Sequence, residues 1–486
     1  MAVTLKASKQ GLEIVDKARR KKGWKATAPA WYDAANTSVA TLKRFRRRIP
    51  IDRDVFVAIC KAVGINNWEV IVDDTPMLQA DSRPDFFSYD DAWVGREQLV
   101  NELSTKLRGS CRLLLILGLT GIGKTALAEK LAVEMQDWFG ENWKNRFKRA
   151  NFDYQEKSTE FASVAKQWLE EWGERILPEE HKPELLLQRL VAYLRQHQVL
   201  VLIDSLERLL TENKEEGWGD FADEWWEKFF LSLLSVESCQ SRLIITSQDR
   251  PVKLVNDRWR NFWHQVVLYG LTESEQAALF KTTGLDVSDD SLNQPLLIRI
   301  GRAYKGHPLV LRVIIGEIWS EPFNGDVQAY WNDERENTRQ KIEDVEKALA
   351  EAEQGKTLGD KDEWELHKLT RQVREKVNKQ RLQIAFQRLA RDVKDAYILL
   401  CAASVYRAPE KEEFWLKHLV YWLKRLEKQD CAKNRQDRAL EELGNRFLVE
   451  ESLNHNKKRV LGQHNLIRSL AIEHRNLLLK SLKTDT

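Results

Sequence analysis

The chain has 486 residues, with 77 Lys/Arg against 74 Asp/Glu and a net charge of +3, a length that predicts roughly three domains rather than one core. No apolar run reaches the roughly 20 residues of a membrane helix, and the N-terminus MAVTLKASKQ lacks the apolar segment of a signal peptide. The cysteines (Cys60, Cys111, Cys239, Cys401 and Cys431) are scattered and never paired as C-x-x-C, which argues against a disulfide or zinc framework and predicts a reducing, cytoplasmic setting with no membrane partner.

Residues 1–72 carry fifteen Lys/Arg and six Asp/Glu, a net +9 that leaves −6 for the remainder. A basic domain on an acidic body predicts an anionic partner at that end. Within it, Trp31 to Ile71 reads as a helix-turn-helix. Ala34 and Ala35 close a first helix, Asn36-Thr37-Ser38 form the turn with Ser38 as N-cap, and a recognition helix runs from Val39 to about Arg47. Val39, Leu42 and Phe45 share its apolar face. Ser38, Thr41, Lys43, Arg44, Arg47 and Arg48 are then the candidate contacts to phosphates or base edges of double-stranded DNA. A protein-contact role for the same module remains open. Val55, Ile59, Ala62 and Val63 mark a further helix.

Residues 73–91 hold two prolines and little periodicity and read as a linker. From 92 to 271, short apolar runs alternate with helical segments. Leu113–Leu117, Val199–Ile203, Leu243–Thr246 and Val266–Leu268 are apolar throughout, as strands buried on both faces of a parallel sheet would be. The expected fold class is therefore an α/β three-layer domain with a parallel sheet and all-α flanking domains, and the motif at Gly118–Thr125, GLTGIGKT, makes it a P-loop domain.

The stretch Gly118-Leu119-Thr120-Gly121-Ile122-Gly123-Lys124-Thr125 matches G-x-x-x-x-G-K-[ST], with Ala126 just inside the helix that follows. Phosphate oxygens need several inward-pointing N–H groups, and glycines permit that turn. The helix N-terminus adds its positive dipole end. Lys124 supplies a charge between β- and γ-phosphates, and Thr125 a hydroxyl for Mg²⁺. Asp204, ending the apolar run Val199–Ile203, is the second magnesium-side group. Ser205 stands where many such ATPases carry another acid. Glu207 is the nearest replacement, either a general base or a structural residue.

Residues 272–331 read as a helical domain. Residues 332–381 are rich in Glu, Lys, Arg and Gln, with Ile342, Val345 and Leu349, then Leu366, Leu369, Val373 and Val377, at helical spacing around a turn at 353–360. They predict a solvated antiparallel hairpin. Residues 382–486 return to mixed helices with a β-like pair near Arg446–Val449 and Arg459–Leu461, compatible with a winged helix.

The ordered motifs resemble those of NB-ARC-type ATPases of the signal-transduction (STAND) class. Val94-Gly95-Arg96-Glu97 is similar to the family's adenine-side GRE element, Ser241–Gln248 to its sensor strand, Gly306-His307-Pro308-Leu309 to its G-L-P-L motif, and Gln463-His464-Asn465 to the Met-His-Asp of its winged helix. The resemblance implies that ATP or ADP binds, with Pro308 against adenine and His464 on the ADP β-phosphate, and that nucleotide exchange controls homo-oligomerisation. Gln248 replaces a usual arginine, Asn465 an aspartate and Ser205 an acid, which implies slow hydrolysis or a switch read by binding alone. The N-terminal module is similar to lambda-repressor-like domains and to those of some cyanobacterial-type NB-ARC proteins. Sensor repeats common in the family do not follow residue 486, so the expected trigger is an unidentified partner protein, DNA or the hairpin. The alternatives are a DNA-binding regulator on a non-hydrolysing nucleotide scaffold and a protein-interaction adaptor.

Overall fold

The computed structural model describes residues 4–24, 28–37, 39–46, 51–72, 93–139, 146–152, 159–211, 218–251, 254, 259–335, 337–354, 363–427, 431–453 and 459–484. The linker at 73–91 and the hairpin turn lie outside them, as do the side chains of Leu349, Leu366, Leu369 and Val373.

A five-stranded sheet organises the centre. Its strands are β1 (Leu113–Leu117), β2 (Phe147–Asn151), β3 (Leu200–Asp204), β4 (Arg242–Ser247) and β5 (Trp263–Val267), in the order β2-β3-β4-β1-β5. Every pairing is parallel. Successive side chains of a strand point to opposite faces, and the two faces of β1 meet different cores. Leu113, Leu115 and Leu117 pack with Phe161, Trp168, Leu190, Trp226 and Phe229. Leu114 and Ile116 pack with Val100, Leu103, Leu127 and Leu131. Helices on both sides of a doubly buried sheet give the expected three layers.

Three of these strands coincide with the apolar runs, whereas β5 begins three residues before the expected run at Val266 and is half-buried throughout, because it lies at the sheet's edge. β2, of sequence FKRAN, was not among the expected strands, because an edge strand is covered on one flank only and tolerates charge. Asp204 closes β3 rather than following it.

Beyond the sheet, helices Glu273–Thr282, Gln294–Ala303, Pro308–Trp319 and Val327–Trp331 share one core. Thr338–Gln354 packs along the long helix Glu363–Asp392. That helix runs past residue 381 and delivers Leu382, Phe386 and Leu389 to the C-terminal core. Ile342 and Val377 are buried against the helical domain. The C-terminal part combines helices Lys394–Ala402, Glu412–Glu427, Lys433–Asn445 and Asn465–Thr484 with a three-stranded antiparallel sheet. One of its strands is Glu450–Leu453, later than the expected 446–449, because Phe447 takes a left-handed turn (φ 53°) after the preceding helix.

In the N-terminal module, helices Pro29–Ala34 and Val39–Arg46 flank a turn in which Asn36 has φ 47°. Leu42 and Phe45 are buried with Trp31 and Phe56. Among the described residues, no helix is long and apolar enough to cross a membrane.

Candidate nucleotide site

Glycines shape the loop that joins β1 to helix Lys124–Glu134. Gly121 has φ 79°, and a Cβ there would stand 2.9 Å from both His307 Cε1 and Leu309 Cδ2. Gly123 has φ 96°, and its Cβ would stand 3.0 Å from an Arg96 guanidinium nitrogen. Left-handed backbone and close approach together require glycine at both. Lys124 is 8% exposed, and its ammonium donates to the carbonyls of Gly118 (2.9 Å) and Leu119 (3.1 Å). The charge is thus folded back into the loop where phosphate oxygens would otherwise take it.

Thr125 Oγ1 donates to Asp204 Oδ1 at 2.9 Å, and Thr246 Oγ1 to the same oxygen at 2.6 Å. The other carboxylate oxygen, Oδ2, accepts from Arg149 Nη2 (2.9 Å) and Asn151 Nδ2 (3.4 Å). Arg149 Nη1 donates to Glu129 Oε1 at 2.7 Å, and Glu129 is wholly buried. β2 makes this possible, since the register sets Asn151 opposite Asp204 and puts Arg149 on the same face two residues earlier.

Ser205 is buried in a left-handed conformation (φ 66°), with its N–H donating to Thr246 Oγ1 at 3.0 Å. A non-glycine residue in that region costs about 1–3 kcal/mol. The turn feeds a short helix, Leu206–Leu209, that presents Glu207 to Gln248. Gln248 donates from Nε2 to Glu207 Oε1 (2.8 Å) and from its main chain to Oε2 (3.1 Å). Thr120 Oγ1 donates to Gln248 Oε1 at 2.6 Å, so the sensor strand and the P-loop share this residue.

Arg96 begins the helix Glu97–Arg108 with φ 63°. Its Nη2 donates to the carbonyls of Ile122 (2.9 Å) and Tyr269 (3.0 Å), and its main-chain N–H to Glu275 (2.5 Å). Burial pulls its guanidinium down to about 10, against the opposing pull of Glu275. Val94 packs against the helical-domain core. From that domain, His307 reaches the loop. Its Nδ1 accepts the N–H of Val310 (3.4 Å), so the ring proton sits on Nε2 and is donated to Thr120 O at 3.0 Å. Pro308 opens the helix that follows, where a missing N–H costs nothing.

The fold therefore gathers Gly95, Arg96, Gly118–Thr125, Asp204, Glu207 and Gln248 around one loop, with Pro308 beside it. Ala126 lies in the first turn of the loop's helix. His464 lies in the C-terminal part, where its Nδ1 accepts the N–H of Leu466 (3.2 Å) at the start of the last helix. In the N-terminal helix, Arg44 is exposed and Thr41 half-buried. Ser38, Arg47, Arg48 and the side chain of Lys43 lie outside the described residues.

Sequence reasoning missed Arg149, Glu129, Thr246, Glu275 and His307. It left His307 without a role, although the residue sits inside the Gly306–Leu309 motif that drew attention to Pro308. Thr246 ended an expected strand. Arg149 had no such signal, because its strand was not foreseen.

Residues 92–225 match the family described as AAA ATPase domain. A curated relative, an uncharacterised WD repeat-containing protein of Nostoc sp., is 28% identical over 373 residues, which are 68% of this chain and 29% of that protein. The chain thus spans less than a third of that relative's length. Among solved structures, it is similar to a signal-transduction ATPase with a tetratricopeptide repeat sensor from Pyrococcus horikoshii (TM-score 0.43, 16% identity, 84% of this chain and 46% of that one). It is also similar to the Aeropyrum pernix ORC2 protein solved with ADPNP and ADP (TM-score 0.30, 14% identity, 83% of this chain and 99% of that one).

Proposed function

We propose that this chain is an ATP/ADP-controlled molecular switch with slow ATPase activity, and that its basic N-terminal module contacts double-stranded DNA. The observation that carries the reading is a P-loop touched from two directions: Asp204 bonds Thr125 on its metal side, and His307 of the helical domain rests on Thr120. Lys124 would exchange its two carbonyls for β- and γ-phosphate oxygens. Adenine would lie beside Val94, Gly95, Arg96 and Pro308.

Thr125 Oγ1 and Asp204 Oδ1 are hard oxygen donors 2.9 Å apart, which fits Mg²⁺, an ion that takes one or two protein oxygens and keeps several waters. When bound, Mg²⁺ would neutralise charge on the phosphates. With ADP bound, His464 and the C-terminal domain, read as a winged helix, would close on the nucleotide. Exchange for ATP would release them and let homo-oligomers form under an unidentified protein trigger. Such a shift needs differential affinity of the two states for the two nucleotides.

Hydrolysis would be slow because Glu207, the general base on this reading, is occupied by two donations from Gln248, which itself brings no positive charge. That same pair favours a second reading, a DNA-binding regulator or adaptor on a non-hydrolysing scaffold. P-loop-dependent turnover, with or without duplex DNA, would discriminate between them. The primary test is Lys124→Ala in the full chain, measured by nucleotide titration and by assembly mass in ADP and in ATP. The variant is expected to lose both binding and nucleotide-dependent assembly. Wild-type behaviour in both would refute the switch.

A further inference from the structure

The cation beside the metal-side carboxylates is unexplained by the reading above. Arg149 is not part of the P-loop, of the strand that carries Asp204, or of the sensor strand. It enters from the edge strand β2, yet its guanidinium fork spans Glu129 on the P-loop helix and Asp204 at the end of β3. Glu129 lies one helical turn beyond Thr125, on the same side of the helix. The two oxygens of Asp204 are divided by this geometry. Oδ1 serves Thr125 and Thr246, while Oδ2 serves Arg149 and Asn151.

We propose that Arg149 is a standing counter-cation of the phosphate site, a positioning residue that lets the loop hold a nucleoside diphosphate without a divalent ion. This rests on the nucleotide-site reading. Asp204 and Glu129 are 3% and 0% exposed. Without a cation, two buried carboxylates would stand beside Thr125, where a phosphate of two or more negative charges must approach. Arg149 offsets one of their two charges and fixes Asp204 so that Oδ1 stays toward Thr125. Lys124 is spent elsewhere, on the carbonyls of Gly118 and Leu119, and would move to the phosphates rather than to the carboxylates. A metal ion arriving with ATP then adds to a site already oriented, instead of building it. The chemistry favours an arginine, since a planar fork can bond two carboxylates at once and an ammonium cannot match both directions.

The test is the binding of a fluorescent ADP analogue to the full chain, in EDTA and in excess MgCl₂. Wild type is expected to bind in both, with constants within about threefold of each other. Arg149→Met is expected to bind about tenfold or more weakly in EDTA, as loss of a unit charge a few ångströms from phosphate implies, and to be rescued by MgCl₂. Arg149→Lys is expected to lie between the two in EDTA, because the charge remains and the fork does not. Equal weakening of Arg149→Met in both conditions would make the residue a structural ion pair and overturn the proposal, as would no change in either. If Arg149→Met fails to fold, the double variant Glu129→Gln/Arg149→Met removes the stranded buried charge, and absence of magnesium rescue there overturns the proposal too. Wild type that binds only with MgCl₂ would sink this inference and leave the switch standing. Wild type that binds in neither condition would overturn both.

Discussion

Replacing Glu317 by glutamine removes one charge and almost no volume at a position 2% exposed. Its Oε2 accepts from Arg381 Nη2 (2.5 Å), Arg388 Nη1 (3.0 Å) and Tyr330 OH (3.4 Å). Arg381 and Arg388 are themselves 4% and 3% exposed, and Asp333 accepts from Arg388 at 3.0 Å. The variant therefore leaves two buried guanidinium groups facing one carboxylate. Breaking a buried pair in this way costs about 3–5 kcal/mol. At a slope of about 2 kcal/mol per molar urea, the unfolding midpoint of the helical region should fall by about 1.5–2.5 M. The acid dependence gives an independent check. Burial pushes the Glu317 carboxyl up, but Arg381 and Arg388 outweigh it and hold it below the ordinary value of 4.5. A depressed carboxylate contributes stability that is complete above 4.5 and is lost as pH falls through the folded value. Wild type should thus lose stability below pH 4.5 more steeply than Glu317→Gln. A midpoint change worth under about 1 kcal/mol, or parallel acid limbs, would refute the reasoning, because the hub would then be solvated or redundant. The result bears on the switch. Glu317 lies in the last turn of the helix Pro308–Trp319, whose start holds His307 and Leu309 against the P-loop, while Arg381 and Arg388 belong to the helix that enters the C-terminal core.

Two further outcomes are expected. Glu207→Gln should lower single-turnover ATP hydrolysis by about 10²-fold or more, the usual worth of a general base, while the affinity for ATP stays within a few-fold. Unchanged hydrolysis would make Glu207 only the partner of Gln248. Arg46 is 5% exposed and joins the N-terminal module to the helical domain, donating to Asp16 (2.7 Å) and to Gly284 O (3.0 Å), with its guanidinium 6.0 Å from the centre of the Trp319 ring. Arg46→Ala should weaken this docking by about 1–3 kcal/mol, seen as faster proteolytic release of the module, and should raise salt-sensitive binding of duplex DNA. Equal DNA binding by the two proteins would mean that docking covers no part of the DNA surface.

What the sequence made legible follows from how strongly each residue is constrained. β1, β3 and β4 are buried on both faces, and a short run that is apolar except at its ends has few other places to go. The P-loop was legible because its chemistry fixes glycines, a lysine and a threonine at set intervals. β2 was not, because an edge strand needs no unbroken apolar run, and FKRAN mixes three polar residues with two that pack. Missing the strand meant missing Arg149, whose part depends on register with Asp204 across 55 positions of sequence. His307 illustrates a different gap. A buried histidine and a contact histidine look alike in sequence, and only the approach of one domain to another's loop separates them. Glu317 was equally hidden, since nothing in PLVLRVIIGEIW tells that its one acid faces two arginines from residues 381 and 388.

The departures from the family pattern acquire a direction from this geometry. On the proposed reading, Gln248 and Ser205 stand on the side where a γ-phosphate would react, and neither brings a charge. Gln248 is engaged at both ends of its amide, accepting from Thr120 and donating to Glu207, and it offers no cation. Arg149 brings a cation to Asp204 and Glu129, on the side that would hold the metal ion. A cation fixed there acts on a bound diphosphate and on a transition state alike. Interactions felt equally by ground and transition states tighten binding without lowering the chemical barrier. On that reading, charge sits where it would lengthen the stay of a nucleotide rather than where it would speed phosphoryl transfer. On the proposed reading this is the arrangement a switch requires, because a bound state must outlast the conformational change it reports.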